Sequence, residues 1–587
     1  MSIYNTKQRR ALLAFLEEHP DELLTARQMA DALAEKQISL SAVYRNLAQL
    51  EAEEKVRRSA KSGSHEAFYQ YLDAKGCKGA LHMSCVKCGK TFHMADSNAA
   101  LFAKHLAQSE QFTLDAADTI LYGNQTAERV ENRYDFKKAE KDAYRLKKGL
   151  TPKIVEELSA KKNDPEWMRE FRLRSLEIYH SLDVPPWGPS IDDLNIDNIV
   201  TYVKPNTDMQ GSWKNVPEDI KDTFDKLGIP QAEQKSLAGV GAQYDSEVVY
   251  HNLKEEVAKL GVIYTDIETA LKGPYEPMIR EHFMKLVTPR DHKFAALHGA
   301  VWSGGSFVYV PPGVKVDIPL QSYFRLNAAG AGQFEHTLII VDKGADLHFI
   351  EGCSAPKYNV ANLHAGCVEL FVADDAKLRY STIENWSKNM YNLNTKRAKV
   401  GKNATMEWIS GSFGSHISYL YPMTILAGEN AKAEFTGITF AGKGQNLDTG
   451  AKMVHNAPHT SSLINTKSIS KDGGASTFRS SVVVAKQAQH SKALVSCQSL
   501  MLDNISRSDT IPAMDVRTNK ASVGHEAKIG RISDQAVFYL MSRGLSEAAA
   551  RAMIVNGFAN PISKELPVEY AVEMNHLIQL EMEGAIG

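Results

Sequence analysis

Cysteine is scarce: six thiols in 587 residues are too few for a disulfide-stapled scaffold. Each reads instead as packing or as chemistry in a reducing compartment. Net charge is nearly absent too, with 68 Lys and Arg against 70 Asp and Glu. That balance excludes a chain-wide polybasic nucleic-acid binder and a disordered acidic chain. No run of 18 apolar residues occurs, and the opening MSIYNTKQRRALLAFLEEHP carries charges through its apolar part without a small-residue cleavage site. The expectation is a cytoplasmic chain with no membrane partner. What is plentiful is core material, 43% of the residues, in a chain long enough for about four domains of roughly 150 residues.

Residues 1–123 have helical periodicity and short polar turns. Leu12, Leu13, Phe15 and Leu16 mark one amphipathic helix, and Thr25 reads as the N-cap of a second. A third, from Ser39, has apolar residues at 40, 43, 47 and 50 and turns Tyr44 and Arg45 elsewhere, a helix-turn-helix pattern. Residues 124–240 read as helical and charged. The 128–148 stretch, with eight Lys or Arg and five Asp or Glu, is expected to be a solvated helix or linker. Residues 531–587 return to capped helices, with breaks expected at Gly544 and Gly557.

Between them, residues 241–530 have β texture and a weak repeat. Ala345-Asp-Leu-His-Phe, Ala376-Lys-Leu-Arg-Tyr, Ala404-Thr-Met-Glu-Trp and Ala431-Lys-Ala-Glu-Phe start 31, 28 and 27 residues apart, each after a Gly, Asp or Asn turn. Alternation then stacks Phe349, Tyr380, Trp408 and Phe435 in one column, as a β-solenoid requires. A sandwich with accidental similarity is the alternative. The repeat fades after 475. Cys353 falls on the inward side, and Glu384 should lie on the next rung, about 5 Å away. Cys497 and Glu526, 29 residues apart, should stack the same way, with His525 adjacent.

Residues 134–587 resemble the SufB family of iron-sulfur cluster assembly scaffolds in Glu351-Gly-Cys-Ser-Ala-Pro356, Ile383-Glu-Asn-Trp-Ser387, Tyr391-Asn-Leu-Asn-Thr-Lys-Arg397, Gly524-His-Glu-Ala527 and Met553-Ile-Val-Asn-Gly-Phe558. Residues 1–123 resemble the ferric-uptake-regulator (Fur) superfamily in Ser41-Ala-Val-Tyr-Arg-Asn-Leu47, His82-Met-Ser-Cys-Val-Lys-Cys-Gly89 and Leu121-Tyr-Gly123. Together they imply a multidomain chain. An N-terminal winged-helix (α+β) module is followed by a helical region, a right-handed parallel β-helix core and a C-terminal helical domain.

The resemblance implies a scaffold rather than a turnover enzyme. It would accept sulfur from a donor of the SufS/SufE or SufU type and build a transient iron-sulfur cluster with the SufC ATPase and SufD, or a second SufB copy. It would then pass the cluster to apo iron-sulfur proteins; reduced flavin (FADH2) is a cofactor the family admits. Cys353 is implied as the sulfur acceptor, with Arg325, Asn327, Trp386 and Lys402 along the relay and Glu384 where a neutral Gln is expected. Arg325 or Lys402 would keep Cys353 a thiolate. Cys497, His525 and Glu526 are implied as nascent-cluster ligands, whereas Cys367 matches no motif and reads as packing.

Cys85-x-x-Cys88 is half a zinc site, with Cys77, His82, His93 and His105 as further candidates. The superfamily's second Cys pair is missing and Gly79 and Ala80 replace usual histidines, so a vestigial module stays open beside a zinc-binding one. Tyr44, Arg45, Arg57 and Arg58 are the candidate DNA contacts. The module's 15 basic and 15 acidic residues give weak phosphate attraction overall. The alternative function is a metal- or cluster-responsive DNA-binding transcription regulator. A β-helix carbohydrate-active enzyme would need paired acids along a cleft, and no such pair is evident.

Overall fold

The computed structural model describes residues 7–18, 24–33, 38–53, 55–60, 67–71, 82–85, 91–93, 120–123, 135–137, 142–564, 566 and 568–583. The chain divides into two units, 1–131 and 132–587.

In the first unit, Thr25 caps Ala26–Ala32 through a reciprocal box with Gln28, and Ser39 caps Leu40–Ala52 by accepting from the Ala42 N–H. These starts phase the helices so that Met29, Val43, Leu47 and Leu50 pack with Leu12 and Leu16 of Lys7–Glu18. Tyr44 and Arg45 stay outside. Val56–Ala60 and Ala67–Tyr71 pair antiparallel as the wing, and a second sheet sets His82–Cys85 between Thr91–His93 and Ile120–Gly123.

The second unit is built on a parallel β-solenoid. One sheet stacks nine parallel strands from Gly239–Tyr244 through Asp346–Ser354, Lys377–Trp386 and Lys492–Met501 to Ser522–Arg531. The facing sheet runs from Gly305–Val310 through His336–Val341, Cys367–Val372 and Thr395–Val400 to Arg507–Val516. Phe349, Tyr380, Trp408 and Phe435 are successive register partners. Each repeat start follows a left-handed residue, namely Gly344, Asp375, Asn403 and Asn430, with φ of 68°, 59°, 56° and 60°. Gly, Asp and Asn take that conformation with least strain, so they turn the corner of each coil. The ladder does not end where the repeat fades. Ile464, Val495 and His525 carry the column on to the last strand, because pairing needs alternation but not aromatics.

Two expectations are corrected. Asp142–Arg145, read as part of a charged helix, is a strand paired with Val203–Pro205. The Tyr144 phenol donates to Glu157, and Leu146, just past the strand, enters the core. The helix from Glu547 does not stop at Gly557 but runs to Ser563. An internal Gly costs about 1 kcal/mol relative to Ala, less than burial of Ala559 and Ile562 one turn later returns.

Candidate functional site

Cys353 lies inward on Asp346–Ser354, 1% exposed, with Phe324 in register before it and Glu384 after it. Glu351 shares that face two residues earlier. From the facing sheet, the Lys396 ammonium donates to Glu351 Oε1 at 2.8 Å, Thr382 Oγ1 at 3.1 Å and Glu384 Oε1 at 3.4 Å. Tyr380 OH also donates to Glu351, and Asn392 Nδ2 to Glu384 at 2.6 Å. Burial works against the charge of Lys396, but the two carboxylates hold it above the ordinary lysine value. Burial first, then Glu351 and Glu384, push the Cys353 thiol well above its usual range, with Lys396 opposing. Cys353 therefore rests as a thiol and needs a change of surroundings to become nucleophilic.

The cations expected beside Cys353 are elsewhere. Lys402 sits on a turn, half-exposed, 3.6 Å from Glu429. Arg325 is buried but donates to Ser354 Oγ at 3.1 Å and the Phe136 carbonyl at 2.9 Å, on the strand face that alternation turns away from Cys353. Lys396 is the cation the sequence reading missed. Its only signal was an inward position in the alternating strand Thr395–Val400. Trp386 packs in one apolar cluster with Cys353 and Phe324, its ring 4.6 Å from that of His364. Asn327 donates its backbone N–H to Asp245 at 2.6 Å, while Asn327 Oδ1 and Trp386 Nε1 have no hydrogen-bond partner among the described residues.

Near the other end of the same sheet, Cys497 is 1% exposed. Its register partner on the last strand is Ala527; Glu526 pairs with Ser496, and His525 with Val495. The coil is thus 30 residues long here, not 29, and one residue of slip moves a side chain to the opposite face. Glu526 points outward and meets Lys528 at 2.9 Å. His525 Nε2 is 3.7 Å and Thr510 Oγ1 3.8 Å from Cys497 Sγ. Burial raises the Cys497 thiol, and the Thr510 hydroxyl partly opposes this. Because His525, and not Glu526, shares the thiol's side, His525→Ala is expected to lower iron retained after anaerobic reconstitution by about tenfold or more. Glu526→Gln should leave it within about twofold by that logic, read as iron per chain after desalting.

Hydroxyls occupy the inward positions between the two cysteines. Cys353 is followed in register by Glu384, Ser412, Thr439, Ser468 and Ser499, and Glu351 by Thr382, Ser410, Gly437, Thr466 and Cys497. Ser410, Ser412, Thr439, Thr466, Ser468 and Ser499 line a small interior cavity of about 20 Å³, room for about one water. Five strand spacings put the two thiols roughly 24 Å apart along the stack.

In the N-terminal unit, Cys77, Cys88 and His105 lie outside the described residues. His82 and His93 are register partners, and Cys85 pairs with Gly123. Tyr44 and Arg45 are exposed, and Arg57 and Arg58 sit on the wing opposite Gln70 and Tyr69.

Residues 324–558 match the model of the SUF system FeS cluster assembly SufBD core domain, and residues 1–122 that of the ferric uptake regulator family. The iron-sulfur cluster assembly protein SufB of Bacillus subtilis (strain 168) is 52% identical over 457 residues, covering 78% of this chain and 98% of that protein. A SufBD family iron-sulfur cluster assembly protein of Staphylococcus aureus (strain MRSA252) is 52% identical over 455 residues, with the same coverage. The structure of the ferric uptake regulator from Pseudomonas aeruginosa with manganese is 26% identical over 21% of this chain and 90% of that chain, with a TM-score of 0.17.

Proposed function

We propose, from the premise that this chain belongs to the SufB family and is an iron-sulfur cluster assembly scaffold, that sulfur enters at Cys353, crosses the solenoid interior, and is built into a cluster at Cys497 with His525. The observation that carries this reading is the run of inward hydroxyls that stand in register on the strands between the two cysteines, six of them around one small cavity. An apolar core would charge a high desolvation cost to any hydrosulfide-like species, and hydroxyl donors lower it. At roughly 24 Å the thiols never meet. A hydrosulfide carrier balances the transfer: it takes the outer sulfur of a Cys353 persulfide as HSS⁻, then gives it to Cys497 and leaves as HS⁻. Sulfide in a cluster requires two electrons per such sulfur, the task a reduced flavin would have.

The cluster is cargo, held by too few ligands to be permanent and passed on to apo-proteins. The last coil leaves Ile511, Met514, Val516 and Ile529 exposed, which supports a SufD-like paralogue or a second copy sharing the Cys497 edge. On the helix Asp534–Ser542, Val537 turns inward while Phe538, Tyr539 and Met541 are exposed, joined by Met553 on the next helix. That apolar patch supports docking of the ATPase partner, which would supply ATP hydrolysis. Among the described residues no helix is long and apolar enough to cross a membrane.

The test is anaerobic co-purification with the ATPase and the paralogue, followed by iron and acid-labile sulfide analysis and transfer to an apo-ferredoxin. Stoichiometric, transferable iron and sulfide support the scaffold reading. Sequence-specific DNA binding that changes on cluster loading, with no transfer, would favour the regulator reading, which rests on residues 1–122 alone.

A further inference from the structure

On the outer face of the second sheet, away from the interior route, three metal-competent side chains converge. His336 and Cys367 open neighbouring strands and are register partners, and His298 comes from the helix Lys293–Val301, buried from Phe294 onward. Their ligand atoms lie within 4.8 Å of one another, and each residue is at most 1% exposed.

With Glu369 ionised, the hydrogen bonds of the two imidazoles do not all close. His298 Nδ1 is 3.0 Å from the Ala365 carbonyl, so it carries the proton and leaves a lone pair on Nε2, which faces His336 Nδ1 at 3.0 Å. On its far side, His336 Nε2 makes no hydrogen bond among the described residues, although Glu369 Oε2 is 3.2 Å away. The Glu369 oxygens accept backbone N–H groups from Met284, Leu286 and Val287 at 2.5, 2.6 and 2.9 Å. If the His336 proton sits on Nδ1, its Nε2 lone pair opposes a carboxylate oxygen. If it sits on Nε2, two lone pairs oppose each other at 3.0 Å. A cation held between the two imidazoles and the thiol removes either mismatch.

We propose that His298 Nε2, His336 Nδ1 and Cys367 Sγ bind one zinc-class divalent cation beneath the helix Lys293–Val301. Both outer nitrogens then donate, His298 Nδ1–H to the Ala365 carbonyl and His336 Nε2–H to Glu369, the outer-shell pattern that orients metal-bound histidines. Cys367 releases its proton on binding. The dication, the thiolate and the Glu369 carboxylate then sum to zero charge. Ligand atoms on a tetrahedral zinc lie roughly 3.3 to 3.6 Å apart, within small side-chain shifts of the arrangement present. The borderline-soft N₂S set suits zinc over magnesium or calcium. The ion ties the helix to two coils of the solenoid.

The full chain carrying Cys85→Ser and Cys88→Ser, which removes the N-terminal thiol pair, is stripped of metal and titrated with Zn²⁺ or Co²⁺. One equivalent should bind, with a thiolate-to-cobalt charge-transfer band. The band should vanish in Cys367→Ser and persist in Cys497→Ala, and Glu369→Gln should weaken binding by about 10–100-fold. Should Cys367→Ser misfold, zinc-edge X-ray absorption on the Cys85→Ser, Cys88→Ser chain decides, with one sulfur and two imidazole nitrogens expected. No bound equivalent, a band that survives Cys367→Ser, or a band lost in Cys497→Ala overturns the proposal.

Discussion

Replacing Cys497 by Ala is expected to bring the iron and acid-labile sulfide of the anaerobically prepared complex to background, a loss of tenfold or more on the scale of about 10–100-fold that even outer-shell metal-site changes cost. The described free cysteines are Cys353, Cys367 and Cys497. Cys353 is closed off by Phe324, Glu351 and Glu384, and Cys367 faces the other side of the second sheet among Trp302 and Phe283. Cys497 alone lies one strand from the exposed end, with an imidazole at 3.7 Å. The substitution removes one buried sulfur at a stability cost of about 1 kcal/mol. The solenoid should therefore stay folded, and binding of the ATPase through the C-terminal helices should survive in size-exclusion chromatography. Normal iron and sulfide in Cys497→Ala would make this thiol structural.

Lys396→Met is expected to destabilise the second unit by about 3–5 kcal/mol at neutral pH, the range for removing one partner of a buried ion pair. Lys396 is the shared donor of Glu351 and Glu384, and all three are buried. Without it, two carboxylates remain inside the solenoid with no counter-charge. Adding Glu351→Gln and Glu384→Gln should recover most of the loss. Urea midpoints of the parent, the single variant and the triple variant check this. A deficit that the two Gln substitutions leave unchanged would mean Lys396 contributes packing alone.

The solenoid was legible because its signals are local. Gly344, Asp375, Asn403 and Asn430 mark the corners, and strict alternation after each gives the face of every side chain. The pairing of Cys353 with Glu384 follows from that pattern. The pairing of Cys497 with Glu526 failed because register depends on corner length, and one extra residue around that coil sends Glu526 outward. Lys396 was invisible for a different reason. A lysine in an alternating strand reads as solvated until the facing sheet supplies Glu351 and Glu384. His298 joins His336 and Cys367 only through helix packing, which no spacing encodes. Asp142–Arg145 misled because its charges were counted without the strand that pairs with them.

The measurement closest to the central claim is site-resolved mass spectrometry of persulfide on the Cys353→Ser chain after incubation with a sulfur donor. Serine keeps the shape of the site but removes the nucleophile. The expected result is persulfide on Cys497 in the parent chain, appearing after that on Cys353, and its near absence in Cys353→Ser. Persulfide on Cys497 at the parental rate in Cys353→Ser would contradict an interior route from Cys353 to Cys497.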